Sequence, residues 1–332
     1  MKALMVGLGW MGKKHFKIWK SLGVEIVAVV EKCNFSINKI SEQDKYHKDL
    51  SVGLNDKHVF DNVNIIYSLE ELGDIDYDFV DIVTNENTHV NFAEHFLNLK
   101  KPVIIEKPIA TDYDSVVRLI DLAKKNGTYI YAGHLLRFDE RNIVVKENLD
   151  NSILYASFNR SFQSASLKKY GHSPSLYTSL VHDIDLLNYF FSVDESQISN
   201  ISYHYISQNK YTADLVTDIT FKLKNCIVNL HNDWLVSESN EFGFISSYDL
   251  RGLKKNVSVS NQPVVGIYNK ERKEVPDLFY WNFAYRPSGA LYLMLEHFLN
   301  CIAKGEESTI VSMNDVLITY GIVDKLLRYR RK

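Results

Sequence analysis

The sequence is poor in cysteine, with only Cys33, Cys226 and Cys301 among 332 residues. Scattered and odd in number, they form neither a disulfide framework nor metal-ligand spacing, and they suit a reducing, cytoplasmic setting. Excess charge is also scarce. A formal net charge of -3 leaves no broad basic field for nucleic acid or an anionic membrane, so neither is expected as a partner. No apolar run approaches the ~18 residues that span a bilayer. The short run after Met1 is broken by Gly7, Gly9 and the cluster Lys13, Lys14, His15 before it can serve as a signal peptide, so a soluble, untargeted chain is expected. His58, His89, His95 and the other histidines do not cluster, so no metal site is expected. A nucleophile elbow and internal repeats are missing as well.

What is present is an ordinary globular balance, 45% hydrophobic and 24% charged. The length exceeds the ~250–300 residues at which one core stops growing, so two domains are expected, 1–133 and 134–332. The first third alternates β-branched runs (3–6, 25–30, 65–67, 79–83, 103–105, 129–132) with helical patterns (11–22, 90–99 and one after Thr111). That alternation predicts a doubly wound parallel sheet, a Rossmann fold. Residues 33–62 hold one polar helix and then no clear period. After Gly133 a helix at 177–191 precedes consecutive strand-like runs at 201–206, 215–223, 227–235, 242–250 and 257–259, with closing helices at 291–303 and 315–328. Strands without intervening helices predict an antiparallel or mixed sheet, so the class is α/β followed by α+β.

Gly7-Leu8-Gly9-Trp10-Met11-Gly12 matches G-x-G-x-x-G directly after the first strand and at the opening of the first helix. In that context Gly7 permits a tight turn, Gly9 admits a pyrophosphate close to the backbone, and Gly12 lets helix and strand pack closely. The helix N-terminus at Trp10 and Met11 then faces the anion. Glu31 follows the second strand, roughly 20 residues on, where a carboxylate accepts from ribose hydroxyls and repels a 2'-phosphate. NAD is therefore favoured over NADP.

The fifth strand runs straight into Glu106-Lys107-Pro108. Ligands of open parallel sheets bind outside the carboxyl ends of the strands, which places Lys107 at a cofactor crevice. Partial burial beside an oxidised nicotinamide would draw a lysine down from ~10.4 toward the range useful for moving a hydroxyl proton. With this motif, the GLGWMGKKH start, DFVDIVTNENTHV, PVIIEKPIATD, AGHLLRF and VHDIDLLNYF, the chain resembles the glucose–fructose oxidoreductase / inositol dehydrogenase / MocA (Gfo/Idh/MocA) family along most of its length.

The resemblance implies an NAD(P)-dependent oxidoreductase acting on a sugar, cyclitol or sugar nucleotide. It places proton transfer on Lys107 and pocket acid/base assistance on His182, with Asp185 in the same H-x-x-D motif. It sets Thr84, His89 and Glu106 beside the cofactor. It further implies a second domain whose open sheet face makes oligomer contacts, as a homodimer or homotetramer. One departure stands out. Where many members carry an aspartate one helical turn before the histidine, this chain has Thr178, which cannot act as a carboxylate base. The Asp–His–Lys relay is then broken or rewired, with His172 or Tyr177 as candidate replacements. A second reading follows from it: a cofactor-binding sensor or assembly protein of the same fold that no longer catalyses. Arg160, Lys168, Lys169 and Tyr170 read either as a polar pocket edge suited to a phosphorylated sugar or as a solvated loop. Arg137 reads as structural, and the aromatic run at 279–285 as core or interface.

Overall fold

The computed structural model describes residues 1–31, 63–149, 152–239, 243–260 and 289–330, with four two-residue strands between 267 and 287. The polar helix expected within 33–62 and the side chains of the aromatic run at 279–285 lie outside the described residues. The chain divides into two compact units. The first comprises 1–110, 114–140 and 265–313; the second comprises 111–113, 141–264 and 314–332.

In the first unit, β1 (Lys2–Val6), β2 (Glu25–Val30), β3 (Ile65–Ile66), β4 (Phe79–Ile82), β5 (Val103–Ile105) and β6 (Ile130–Ala132) form one sheet. Its order is β3-β2-β1-β4-β5-β6, and every pairing is parallel. These strands are short, apolar and almost wholly buried, as a sheet covered on both faces requires. Helices α1 (Trp10–Ser21), α2 (Glu86–Asn98) and α3 (Tyr113–Asn126) connect them. The order reverses between β1 and β4, so the loops leaving those two strands diverge to opposite sides and open a crevice at their carboxyl ends. Ser68-Leu69-Glu70-Glu71 has the spacing of a helix-opening capping box, yet only one tight turn forms, Leu69–Leu72, with no side-chain cap from Ser68.

The second unit is built on a sheet of order β12-β11-β7-β10-β9-β8. Helix α4 (Glu140–Asn148) leads into β7 (Ile153–Gln163). A one-turn helix (Leu167–Tyr170), a π turn (Leu176–Leu180) and α5 (Val181–Phe191) follow. Then come β8 (Ile198–Ile206), β9 (Val216–Leu223), β10 (Cys226–Val236), β11 (Phe244–Gly252) and β12 (Asn256–Ser260). The β7–β10 pair is parallel and the rest are antiparallel. Along β10, Cys226, Val228, Leu230, Asn232 and Trp234 are buried, while Asn229 and His231 alternate outward, the period-two signature of a sheet covered on one face. Phe190 of α5 meets Tyr248 of β11 at 5.6 Å between ring centroids, which places the helix on the buried face.

One boundary expectation needs correcting. A single cut at 133 assigns everything downstream to the second domain, yet residues 265–313 rejoin the first. Helix α6 (Ala290–Lys304) brings Phe298 to within 5.3 Å of Tyr131 and 5.7 Å of Phe138. The Tyr131 hydroxyl donates to the Glu306 carbonyl at 2.6 Å, and buried Arg137 donates to the Ile310 carbonyl at 2.9 Å. Aromatic burial plus satisfaction of two buried polar groups draws the helix back. Helix α7 (Met313–Arg330) then belongs to the second unit. No helix among the described residues is long and apolar enough to cross a membrane.

Candidate active site

The glycine-rich turn has the stereochemistry its motif requires. Gly7 takes φ +99°, and a Cβ there would meet the Val83 carbonyl oxygen at 2.7 Å and the Thr84 methyl at 2.9 Å. A Cβ on Gly12 would meet the Gly7 carbonyl oxygen at 2.4 Å, so only glycine lets α1 begin this close to β1. Gly9 differs, because a Cβ there would meet nothing within 4 Å. The open side of the turn is therefore at Gly9, which caps α1 without a side-chain bond and with no acidic residue in the first turn. A helix start of this kind offers N–H groups and positive dipole to an anion. Gly7, Gly9, Trp10, Met11 and Gly12 fit the diphosphate of a dinucleotide on that account.

Glu31, half-buried just beyond β2, accepts the Leu8 N–H on Oε2 at 2.8 Å. Its carboxylate thus braces the turn while standing at the strand end where a ribose is expected. Thr84 follows β4, touches the glycine turn, and shares a 2.7 Å hydroxyl contact with Thr88. His89 is turned inward: it is 1% exposed, with Nδ1 at 2.8 Å from the Pro108 carbonyl and Nε2 at 3.1 Å from the Thr84 carbonyl. Burial holds its pKa below the ordinary range despite those two contacts, so the neutral ring has one N–H to donate, and the shorter contact to the Pro108 carbonyl suits it best. His89 is buried between two loops, with its ring nitrogens facing backbone carbonyls.

Lys107 leaves the carboxyl end of β5 half-buried, ahead of a cis bond to Pro108. Glu106 before it is 7% exposed and accepts the Lys107 backbone N–H on Oε2 at 3.1 Å. The other carboxylate oxygen lies 3.3 Å from His15 Nε2. Glu106 therefore points into the fold, behind the lysine. His15 and Asp81, both 0% exposed, complete that cluster, which the sequence reading missed. The available signal was Asp81, a carboxylate in the middle of a strand whose neighbours are all apolar.

In the second unit, His182 stands near the start of α5 and is half-buried. Asp185, one turn on, accepts from the Thr319 hydroxyl of α7 at 3.3 Å, a helix-packing contact. Thr178 lies in the π turn and donates to the Pro174 carbonyl at 3.4 Å, and Tyr177 is 2% exposed. His172 is exposed, with Nε2 3.1 Å from the Lys168 carbonyl. Tyr170 is exposed at the end of the one-turn helix, where Lys169 lies over its ring.

Arg160 does not lie in a polar loop. It sits inside β7, 4% exposed, with Nε 2.6 Å from an oxygen of Asp183, which is 2% exposed. Burial pushes the Asp183 carboxyl up, and the guanidinium only partly offsets this. The arginine's charge is engaged inside the fold, since β7 turns alternate residues toward the buried face and Arg160 falls on that side. Among the described residues, no group of three or more His, Cys, Asp or Glu could hold a metal ion.

Residues 1–134 match the sequence model of Gfo/Idh/MocA, described as an oxidoreductase family with an NAD-binding Rossmann fold. An inositol 2-dehydrogenase of Salmonella typhimurium strain LT2 is 24% identical over 204 residues, 58% of this chain. The chain spans 55% of the length of that relative. Two solved structures share the fold over almost the whole chain. The scyllo-inositol dehydrogenase of Lactobacillus casei, with NAD(H) and scyllo-inositol bound, has a TM-score of 0.72 at 19% identity, covering 99% of this chain and 96% of that one. The UDP-N-acetylglucosamine 3-dehydrogenase of Acidithiobacillus ferrooxidans has a TM-score of 0.72 at 18% identity, covering 99% and 97%. The glycine geometry and the sheet order agree with the family match: residues 1–134 carry an NAD-binding Rossmann fold similar to that of the Gfo/Idh/MocA oxidoreductase family.

Proposed function

We propose that the protein is an NAD-dependent dehydrogenase or reductase acting on a CH–OH group of a cyclitol, sugar or sugar nucleotide, with Lys107 in proton transfer and His182 assisting. The observation that carries this reading is a shared edge. The glycine turn follows β1, Thr84 follows β4 and Lys107 follows β5, and these are adjacent parallel strands of one sheet. Bound NAD supplies the hydride acceptor or donor. Lys107 takes the hydroxyl proton when the alcohol is oxidised and returns it when the carbonyl is reduced. Its backbone is held by Glu106 and its neighbour Pro108 by His89, so the amine swings from a fixed base. The inositol and nucleotide-sugar dehydrogenases that share this fold support the substrate class.

The test is NADH formation from NAD with myo-inositol, scyllo-inositol or UDP-N-acetylglucosamine. On a substrate that turns over, Lys107→Met should lower kcat by ~10²–10⁴, the usual contribution of a positioned acid/base group. NADH affinity, read by fluorescence, should stay nearly unchanged. Full activity in Lys107→Met would reject the assignment. Assembly as a homodimer or homotetramer through the outward face of the second sheet belongs to the same proposal, and sedimentation velocity tests it.

A second reading rests on Thr178, which replaces the carboxylate the resemblance implies and donates its hydroxyl to the Pro174 carbonyl. It makes the chain an NAD-binding sensor or assembly protein of the same fold. Tight NADH binding without turnover on any of the three substrates would favour it.

A further inference from the structure

The redox reading leaves one buried cluster without a task. His15 lies on α1, Asp81 in the middle of β4, and Glu106 at the end of β5. His15 Nδ1 is 2.9 Å from Asp81 Oδ2 and Nε2 is 3.3 Å from Glu106 Oε1. The Trp19 indole N–H donates to the same Asp81 oxygen at 2.6 Å. Burial alone would strip the proton from His15, but Asp81 and then Glu106 outweigh it and hold the ring as an imidazolium, its pKa pushed up to about 10. The same imidazolium, opposing burial, holds the Glu106 carboxyl below the ordinary carboxylate range.

Such a cluster is a poor device for stability. Removing charged groups from water costs several kcal/mol each, and packed apolar residues would usually serve a fold equally well. Its geometry points elsewhere. Glu106 accepts the Lys107 backbone N–H on one oxygen and sets the other 3.3 Å from His15 Nε2, a charge contact without hydrogen-bond geometry. Gly133 leaves the carboxylate its place, since a Cβ there would lie 3.1 Å from both its Oε1 and the Glu106 Cα. On the far side of the lysine, His89 holds the Pro108 carbonyl. The helix that carries His15 is the one opened by the glycine turn.

We propose that His15 is a positioning residue for Lys107, fixing the lysine's backbone, through the Glu106 carboxylate, to the helix that starts at the glycine turn. The inference rests on the reading of Lys107 given above, but its test does not depend on turnover. Reductive methylation with ¹³C-formaldehyde makes each lysine visible by NMR, and the Lys107 resonance is the one lost in Lys107→Arg. In His15→Gln, which keeps a hydrogen-bonding side chain but removes the cation, the Lys107 resonance should move and its titration midpoint should change. The other lysine resonances should stay in place. Asp81→Asn, close to isosteric, should displace the same resonance less, and it serves as the measured variant if His15→Gln does not fold. On a substrate that turns over, His15→Gln should lower kcat about tenfold with little change in KM, a loss inside the range for a displaced acid/base group.

A Lys107 resonance and titration unchanged in the folded variant, with only the melting temperature lowered, would overturn the proposal and make the cluster purely structural. Turnover that survives Lys107→Met would remove the catalytic reading while the NMR titration still decides whether His15 positions the lysine.

Discussion

The α-carbon of Gly12 is packed against the carbonyl of Gly7, so closely that a methyl group there would sit 2.4 Å from the oxygen. Gly12→Ala must therefore push α1 away from β1, at a cost of about 1–3 kcal/mol for overpacking. It should also spoil the helix start that receives the anion. Gly9→Ala provides the contrast, because its methyl would meet no protein atom within 4 Å and its φ of −67° suits alanine. The expected outcome is loss of both melting temperature and NADH affinity in Gly12→Ala, but loss of NADH affinity alone in Gly9→Ala. Unaltered NADH binding in Gly9→Ala would remove the turn from the cofactor site.

Arg160 and Asp183 form an ion pair with both partners almost wholly buried. Arg160→Met should cost about 3–5 kcal/mol, because it strands a carboxylate in the interior. Adding Asp183→Leu should restore much of that loss, since apolar replacement of a buried pair is often neutral. Urea denaturation of the single and double variants measures both. If Arg160→Met folds with unchanged stability, the guanidinium is not engaged as the geometry indicates.

The sequence revealed what has strong local period or fixed spacing, and it failed where distant residues decide. The short strands at 25–30 and 103–105 were readable because their apolar runs are continuous, the second wholly buried and the first over its last three residues. β7 was hidden: Arg160, Ser161 and Asn159 break its apolar pattern, and only the pairing partners β10 and β11 show that the arginine is covered. The return of 265–313 to the first unit was equally invisible, because it depends on Phe298 finding Tyr131 and Phe138 far upstream. At the site, glycine spacing exposed the turn. His15 looked like one more basic residue beside Lys13 and Lys14, since nothing local says that its ring points inward at two carboxylates.

The same ring gives a signed pH dependence. His15 has a folded pKa raised from 6.5 to about 10, so its contribution to stability is complete below about pH 6.5 and is lost as pH climbs through about 10. Glu106, whose pKa is lowered from 4.5, contributes above that value and loses its share in acid. Unfolding free energy should therefore decline by a few kcal/mol between roughly pH 6.5 and 10. His15→Gln should flatten that slope. A wild-type curve level across this interval would mean the ring is neutral at its base.

Glu31 braces the turn with the carboxylate that the proposed function also sets against a 2'-phosphate, and a substitution can separate the two. Its Oε2 accepts the Leu8 N–H at 2.8 Å, a bond that a glutamine carbonyl can replace. Glu31→Gln should leave the turn and NADH affinity nearly intact while removing the charge that opposes a 2'-phosphate. NADPH affinity should then improve about tenfold, equivalent to ~1.4 kcal/mol. Glu31→Ala removes the acceptor as well, and a lost hydrogen bond of about 1 kcal/mol at the turn should weaken both cofactors. Fluorescence titration with NADH and NADPH across the three proteins checks this pattern. If wild type and Glu31→Gln discriminate equally, cofactor choice lies with other residues and the carboxylate merely braces Leu8.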